Sequence, residues 1–197
     1  MSFTANTAFE ARITNNSRDN LSHIAGKYYV STTPTDCDAG QLCVRDSLLD
    51  CEGFTGIKNE NTWKMVAAAN TATADDVIFA CDTYDNQLLS APNGNAYFIG
   101  TETLGLGVPA GRYGNFTRIN FDGESVYRFG AGNVTLNTST DTFFTIASGK
   151  LTSAAAAPDD DGSIYFELRG TGKFIEGVSE SFTYYDVVAK KVSIYAP

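Results

Sequence analysis

Short runs of hydrophobic and β-branched residues, separated by turn-forming residues, fill most of the chain after residue 26. Residues 28–33 are dense in aromatic and β-branched types, and a stretch rich in turn residues follows them. Polar and apolar side chains alternate from residue 115 to 121, which is the period of a β-strand. Asp122 and Gly123 then offer a hairpin turn into residues 125–129, so the pattern predicts an antiparallel hairpin here.

The same pattern recurs along the rest of the chain. Further strands are predicted at residues 41–45, 77–82, 96–99, 134–136, 142–147, 163–169, 182–188 and 192–195. Residues 61–68 fit either a strand or a single short helix. Residues 50–56 are predicted as a glycine-bearing loop, and the compact apolar run at 77–82 predicts a buried strand. No long amphipathic helix and no fixed-period repeat is visible. Many short strands with frequent turns predict an all-β fold, an antiparallel sandwich or barrel with little helix.

Two stretches interrupt this pattern and suggest how the chain is divided. Residues 1–26 are polar with scattered apolar side chains and no sustained period, which predicts an extended N-terminal arm ordered against a partner, or a frayed terminus. Residues 100–114 hold five glycines and a proline and mark a candidate boundary. The predicted division is an arm at 1–26, a small β subdomain at 27–99 with all the cysteines, and an antiparallel β domain at 100–197.

The charge of the chain narrows the classes of partner. A net charge of -9 and a sequence pI near 4.5 argue against binding to nucleic acid, which requires Lys and Arg to neutralise phosphates. Anionic membrane surfaces are disfavoured for the same reason, and no apolar run is long enough to span a bilayer. The first residues lack the features of a signal peptide, so we expect synthesis in a cytoplasm without export.

The four cysteines, Cys37, Cys43, Cys51 and Cys81, all fall in the first half of the chain. No two of them are spaced as Cys-x-x-Cys, and the single histidine, His23, lies outside the segment that holds them. A zinc site is therefore not expected. Two interpretations remain open. The cysteines are small buried core residues, or they form one or two disulfides once the protein reaches oxidising conditions.

No catalytic residue, cofactor site or metal site is predicted. Nucleophilic catalysis needs a base beside the nucleophile, and His23 lies in the irregular N-terminal segment, away from any Gly-x-Ser-x-Gly turn. A β-fold glycoside hydrolase with paired carboxylates remains an alternative. The acids in or near predicted strands are Glu102, Glu124, Glu167 and Glu176. A second alternative is a carbohydrate-binding module in which sugar rings stack on Trp63 and other aromatics.

Three features coincide in this chain: a polar N-terminal segment, an acidic β body rich in Gly and Thr, and a start without a leader. In these the chain resembles a bacteriophage virion protein, most nearly the head decoration or cement proteins. The resemblance implies a non-enzymatic protein that stabilises the capsid, binds the major capsid protein through its arm and forms trimers in the virion. It implies Phe3, Phe9, Arg12 and Ile13 as the partner-binding residues of the arm.

Overall fold

The computed structural model describes residues 4–12, 23–69, 77–82, 88–90, 96–98, 107–176 and 180–193. Within these residues the chain is almost entirely β-structured, and the one helical segment is a 3-10 turn at Ala131–Asn133. No helix in this part of the chain is long and apolar enough to cross a membrane. The strands are β1 (Phe9–Arg12), β2 (His23–Val30), β3 (Thr33–Pro34), β4 (Leu42–Asp50), β5 (Lys58–Ala67), β6 (Ile78–Cys81), β7 (Leu88–Ser90), β8 (Ala96–Phe98), β9 (Gly114–Arg118), β10 (Val126–Gly130), β11 (Val134–Thr135), β12 (Phe143–Ala147), β13 (Lys150–Ala154), β14 (Ile164–Glu176) and β15 (Glu180–Lys191).

Seven strands form the first sheet, in the order β1-β10-β15-β14-β12-β13-β11. All its neighbours are antiparallel except β11 and β13, which run parallel. The hairpin of β14 and β15 is the longest element, and a register shift between Leu168 and Gly170 interrupts its pairing. Such a bulge increases the local twist of a sheet.

The second sheet closes on itself. Strand β2 pairs with β5 on one side and with β9 on the other, and β5, β4, β6 and β9 are hydrogen-bonded in turn. These five strands therefore form a closed ring, called the barrel below, and β3 extends from β2. Closure pairs each of these strands on both sides where the ring forms, while the β4–β5 hairpin continues beyond it.

Two hydrophobic cores follow from this arrangement. One fills the barrel and contains Tyr28, Met65, Phe79, Phe116 and three cysteines. The other lies between the barrel and the first sheet, where Leu42 and Ile78 of the barrel meet aromatic residues of the first sheet. Strand β6 contributes to both cores, so all four of its residues are buried. A strand buried on both faces explains why residues 77–82 read as a continuous apolar run.

The all-β fold with little helix is confirmed, and of residues 61–68, which fitted either a strand or a helix, 61–67 lie in a strand, β5. The predicted hairpin at 115–129 is wrong, because β9 belongs to the barrel and β10 to the first sheet. The turn between them was recognised correctly: the Asp122 carboxylate accepts hydrogen bonds from the backbone N–H groups of Glu124 and Ser125 at 2.9 and 2.8 Å. Alternation predicts strands but not their partners, and here the turn carries the chain from one sheet to the other.

The predicted strand at 192–195 is not seen at residues 192–193, and its remainder lies outside the described residues.

The predicted boundary near residue 100 does not coincide with the division between the two sheets. Strand β9 follows that boundary in sequence but pairs with β2 and β6, which precede it. Strand β1, from the predicted arm, lies in the first sheet. Each of the two cores draws side chains from both sides of residue 100, so neither core belongs to one half of the chain alone.

Candidate functional site at the tip of the β4–β5 hairpin

The N-terminal segment is part of the fold rather than a separate arm over residues 4–12. Strand β1 pairs with β10 from Phe9 opposite Phe129 to Arg12 opposite Val126. Before it, the Asn133 side chain accepts a hydrogen bond from the Ala8 N–H at 3.0 Å and donates one to a backbone carbonyl of the β3–β4 loop at 2.7 Å. These bonds fasten the segment to both sheets.

Phe9, predicted as a partner-binding residue, is buried in the protein's own core. Its side chain is 3% exposed. The centre of its ring lies 5.3 Å from the ring centre of Phe129 and 6.2 Å from that of Tyr127. This corrects the prediction, because a side chain buried within the chain cannot serve as an anchor on a partner. Arg12 lies at the end of β1, while Phe3 and Ile13 lie outside the described residues.

A row of charges on the opposite face of the first sheet also holds β1. Arg128 is directly opposite Glu10 on one neighbouring strand and Asp186 on the other. Its guanidinium donates two hydrogen bonds to Asp186, at 2.8 and 2.9 Å, and lies 3.5 Å from the centre of the Tyr184 ring. A bidentate Arg–carboxylate pair is strong and fixes geometry as well as charge.

The β4–β5 hairpin presents the clearest candidate for a partner-binding site. Residues 51–57 form its turn, and within it Phe54 is 62% exposed and Ile57 is 56% exposed. We call these two side chains the apolar tip. Single exposed hydrophobic residues are common on protein surfaces, but here two large ones lie three positions apart in one turn.

The backbone of this turn is held in place by its neighbours. The Cys51 N–H donates to the Ile57 carbonyl at 2.7 Å, and the Phe54 N–H donates to the Cys51 carbonyl at 3.0 Å. Asp50 accepts a hydrogen bond from the Gly56 N–H at 3.1 Å and pairs with Lys58 at 2.7 Å. The Lys58 bond, followed by that from Gly56, lowers the pKa of the Asp50 carboxyl, so this brace is charged at neutral pH.

The turn requires glycine at two positions. Gly53 and Gly56 have φ values of +83° and +85°, in the left-handed region that L side chains rarely adopt. The sequence predicted a glycine-bearing loop here but did not single out the apolar tip. The available signal was a Phe and an Ile placed among turn residues, where no strand or helix would bury them.

The cysteines divide between two environments. Cys37, Cys43 and Cys81 are buried inside the barrel, whereas Cys51 is partly exposed at the start of the hairpin turn. All four are free thiols in this structure. Of the two interpretations that the sequence left open, the structure therefore shows buried core residues at three positions.

His23 begins β2 rather than lying in an irregular arm. Its Nδ1 atom is 3.0 Å from the Thr117 hydroxyl, and that hydroxyl donates to Asp82 at 2.9 Å. The order of these contacts differs from that of a hydrolytic triad, in which the carboxylate orients the imidazole and the imidazole activates the hydroxyl. Here the fully buried threonine lies between the two and cannot act as a nucleophile toward solvent.

The predicted acids do not come together in the described part of the chain. Glu167 pairs with Lys190, and this bond lowers the pKa of the Glu167 carboxyl, whereas a general acid needs a raised one. Glu124 lies in the turn between β9 and β10, and Glu176 ends β14. Glu102 lies outside the described residues. Among the residues described, no cluster of His, Cys, Asp and Glu is arranged to hold a metal ion.

Trp63 is only partly exposed, and its ring already has a cationic neighbour. It packs against the barrel core, and the Arg45 guanidinium lies 4.7 Å from the centre of its ring. A cation held over the ring occupies the surface on which a sugar would stack.

The chain matches no protein-family model, no curated protein and no solved structure.

Proposed function

We propose that this protein is a non-enzymatic subunit of a larger assembly and that it binds a neighbouring subunit through the apolar tip, Phe54 and Ile57. More particularly, we propose a bacteriophage virion protein of the head decoration class, bound to the major capsid protein and forming trimers. The virion assignment rests on the resemblance described above. The binding site rests on the exposure of the apolar tip.

The apolar tip supports this proposal because its two side chains are exposed and do not belong to the buried core. Both side chains would leave water on binding, and burial of a large apolar side chain contributes about 1.5–3 kcal/mol. The turn is already ordered by Asp50 and its hydrogen bonds, so binding would cost little conformational entropy. Aromatic side chains that enter a partner's pocket are typical of the residues that dominate binding energy.

The tip replaces the arm as the predicted anchor. Phe9, the one arm residue whose side chain is described among the four predicted, is buried in the protein's own core. Binding through a fixed hairpin differs from binding through a disordered arm, because it does not require a segment to become ordered on contact. It predicts a binding surface that is complete in the isolated protein.

The two alternative functions receive less support. The carbohydrate-binding alternative was based on sugar stacking on Trp63, yet the Arg45 guanidinium lies over that ring. A paired-carboxylate hydrolase would need one carboxyl with a raised pKa, yet the shifts of Asp50, Asp122, Asp141 and Glu167 are all downward.

The proposal is tested first on the particle and then on the site. Mass spectrometry of purified virions should detect this chain at a fixed ratio to the major capsid protein. Virions stripped of the chain by mild chaotrope should rebind the recombinant full-length protein. Absence of the chain from purified particles would overturn the virion assignment.

Rebinding of a tip variant tests the site itself. The double substitution Phe54→Ser and Ile57→Ser should weaken rebinding by roughly 30-fold or more, as expected for loss of a contact that dominates binding. The matched control is Val30→Ser with Leu136→Ser, which also removes two exposed apolar side chains but lies in other elements. The control should rebind like the wild type. Equal rebinding of the tip variant and the wild type would show that the tip is not the anchor.

A further inference from the structure

Three thiols meet inside the barrel, although they come from different parts of the chain. Cys37 lies before β4, Cys43 is the second residue of β4 and Cys81 ends β6. All three are fully buried. The three side chains belong to one buried cluster. This cluster has no part in the proposed binding site.

The backbone holds Cys37 and Cys81 in particular proximity. The Cys81 thiol donates to the carbonyl oxygen of Cys37 at 3.7 Å, across a sequence separation of 44 residues. On one side, Cys37 and Val108 exchange two backbone hydrogen bonds, at 2.8 and 2.7 Å. On the other, the Cys81 N–H donates to the Gln41 carbonyl and the Cys81 carbonyl accepts from the Gly40 N–H, both at 2.8 Å. The β3–β4 loop and β6 are thus fastened together around these two residues.

Each of the three thiols also has an acceptor close by in sequence. The Cys37 thiol donates to the side-chain oxygen of Gln41 at 3.7 Å, the Cys43 thiol to the carbonyl oxygen of Gln41 at 3.6 Å and the Cys81 thiol to the carbonyl oxygen of Asp82 at 3.4 Å. What sets Cys37 and Cys81 apart is the direct thiol–carbonyl contact between them. Cys51 lies outside the barrel, in the hairpin turn. Of the four cysteines, Cys37 and Cys81 are therefore the pair that a direct contact joins across a long sequence separation.

We propose that Cys37 and Cys81 form an intramolecular disulfide when the protein folds in the presence of an oxidising small-molecule disulfide. One cysteine thiolate attacks a sulfur of the oxidant, forming a mixed disulfide and releasing one small thiol. The second thiolate attacks the protein sulfur of that mixed disulfide and releases the other small thiol. The protein loses two hydrogens and gains one S–S bond, and the oxidant is reduced to two thiols.

The fold decides when this exchange takes place. Burial raises the pKa of the Cys37 and Cys81 thiols, so in the folded reduced protein both are protonated and shielded from an oxidant. The exchange therefore occurs during folding, while the thiols are still accessible and the β3–β4 loop and β6 are coming together, and it is slow once the native state has formed. After it forms, the bond joins the β3–β4 loop to β6 and constrains the unfolded chain.

The test is refolding in a redox buffer. The full-length protein is unfolded and reduced, refolded with oxidised and reduced glutathione, and quenched with an alkylating agent. We expect two alkylated cysteines instead of four, and a peptide map that links residues 37 and 81. The bridged protein should melt roughly 8–16 °C above the reduced protein, from the loop-closure stabilisation for a loop of this length.

Single substitutions separate this pairing from the others. Cys51→Ser and Cys43→Ser should both keep the bridge, whereas Cys81→Ser should leave three alkylated cysteines. Four alkylated cysteines in the wild type after refolding would overturn the proposal. A bridge that contains Cys43 or Cys51 in the wild type would overturn it equally, and this mapping does not depend on whether any variant folds.

Discussion

The placement of Phe9 in the core can be tested by comparing it with Phe54, since the structure puts one phenylalanine inside the protein and the other at its surface. Phe9 is 3% exposed and contacts two aromatic rings, whereas Phe54 is 62% exposed. Phe9→Ala should destabilise the isolated protein by about 3 kcal/mol. This is the lower end of the range for buried phenylalanine, because β1 is a short edge strand that can adjust around the cavity. Phe54→Ala should change stability by no more than about 0.5 kcal/mol.

Denaturant unfolding is a suitable assay, because the chain has a single tryptophan, Trp63, whose fluorescence reports on the barrel. Far-UV circular dichroism should give a coincident transition if the two sheets unfold together. The expected loss for Phe9→Ala corresponds to a melting temperature lower by roughly 6–12 °C. If Phe9→Ala left the unfolding midpoint unchanged and weakened only partner binding, Phe9 would be an anchor after all, and the described position of β1 would be refuted.

Three further outcomes are expected, each measured from unfolding midpoints. Gly107→Ala should destabilise the protein by about 3 kcal/mol or more, because Gly107 has a φ of +66° and an added Cβ would lie 2.5 Å from a backbone nitrogen. Gly53 has a φ of +83° but lies in open space, so Gly53→Ala should destabilise the protein by only about 1 kcal/mol. A similar cost for both would contradict this. Arg128→Met should lower the free energy of unfolding by about 3 kcal/mol, because it leaves the Asp186 carboxylate without its partner. Arg128→Lys should restore only part of this free energy, because lysine cannot make the bidentate contact. Full restoration by lysine would show that the two-pronged contact is unimportant. Hydrogen bonds, first of all from the Ser153 hydroxyl, lower the pKa of the Asp141 carboxyl in the folded protein. These bonds therefore stabilise the fold at pH values above the pKa that this carboxyl has in the unfolded chain. The stabilisation is lost as the pH falls through the pKa that the carboxyl has in the folded protein. The stability deficit of Ser153→Ala should therefore shrink below about pH 4, and a deficit that stays constant with pH would refute this account.

Much of the fold was accessible from the sequence because strands are local features. Alternating and β-branched runs predicted most strands of the first sheet, and the turn at Asp122 and Gly123 was located correctly. The apolar run at 77–82 was recognised as a buried strand, since a strand enclosed on both faces favours such a run. These conclusions depend on residues close together in the chain.

The candidate site depends on longer-range information. Phe54 and Ile57 lie in a loop that the sequence marked as a turn, but their exposure depends on which side chains the rest of the chain brings near them. Phe9 illustrates the reverse case. Its surroundings in sequence are polar, and it becomes buried only because β10 supplies an aromatic surface more than a hundred residues later.

By itself, the sequence determined that this chain is an acidic all-β protein, and it located most strands and turns, because those properties follow from composition and local periodicity. Only the tertiary structure decided that five strands close into a barrel, that β9 and β10 belong to different sheets and that three cysteines meet in one interior. The physical reason is that a period of two residues defines the faces of a strand but not its neighbours. Partners are chosen by the burial and hydrogen bonding of the whole chain at once.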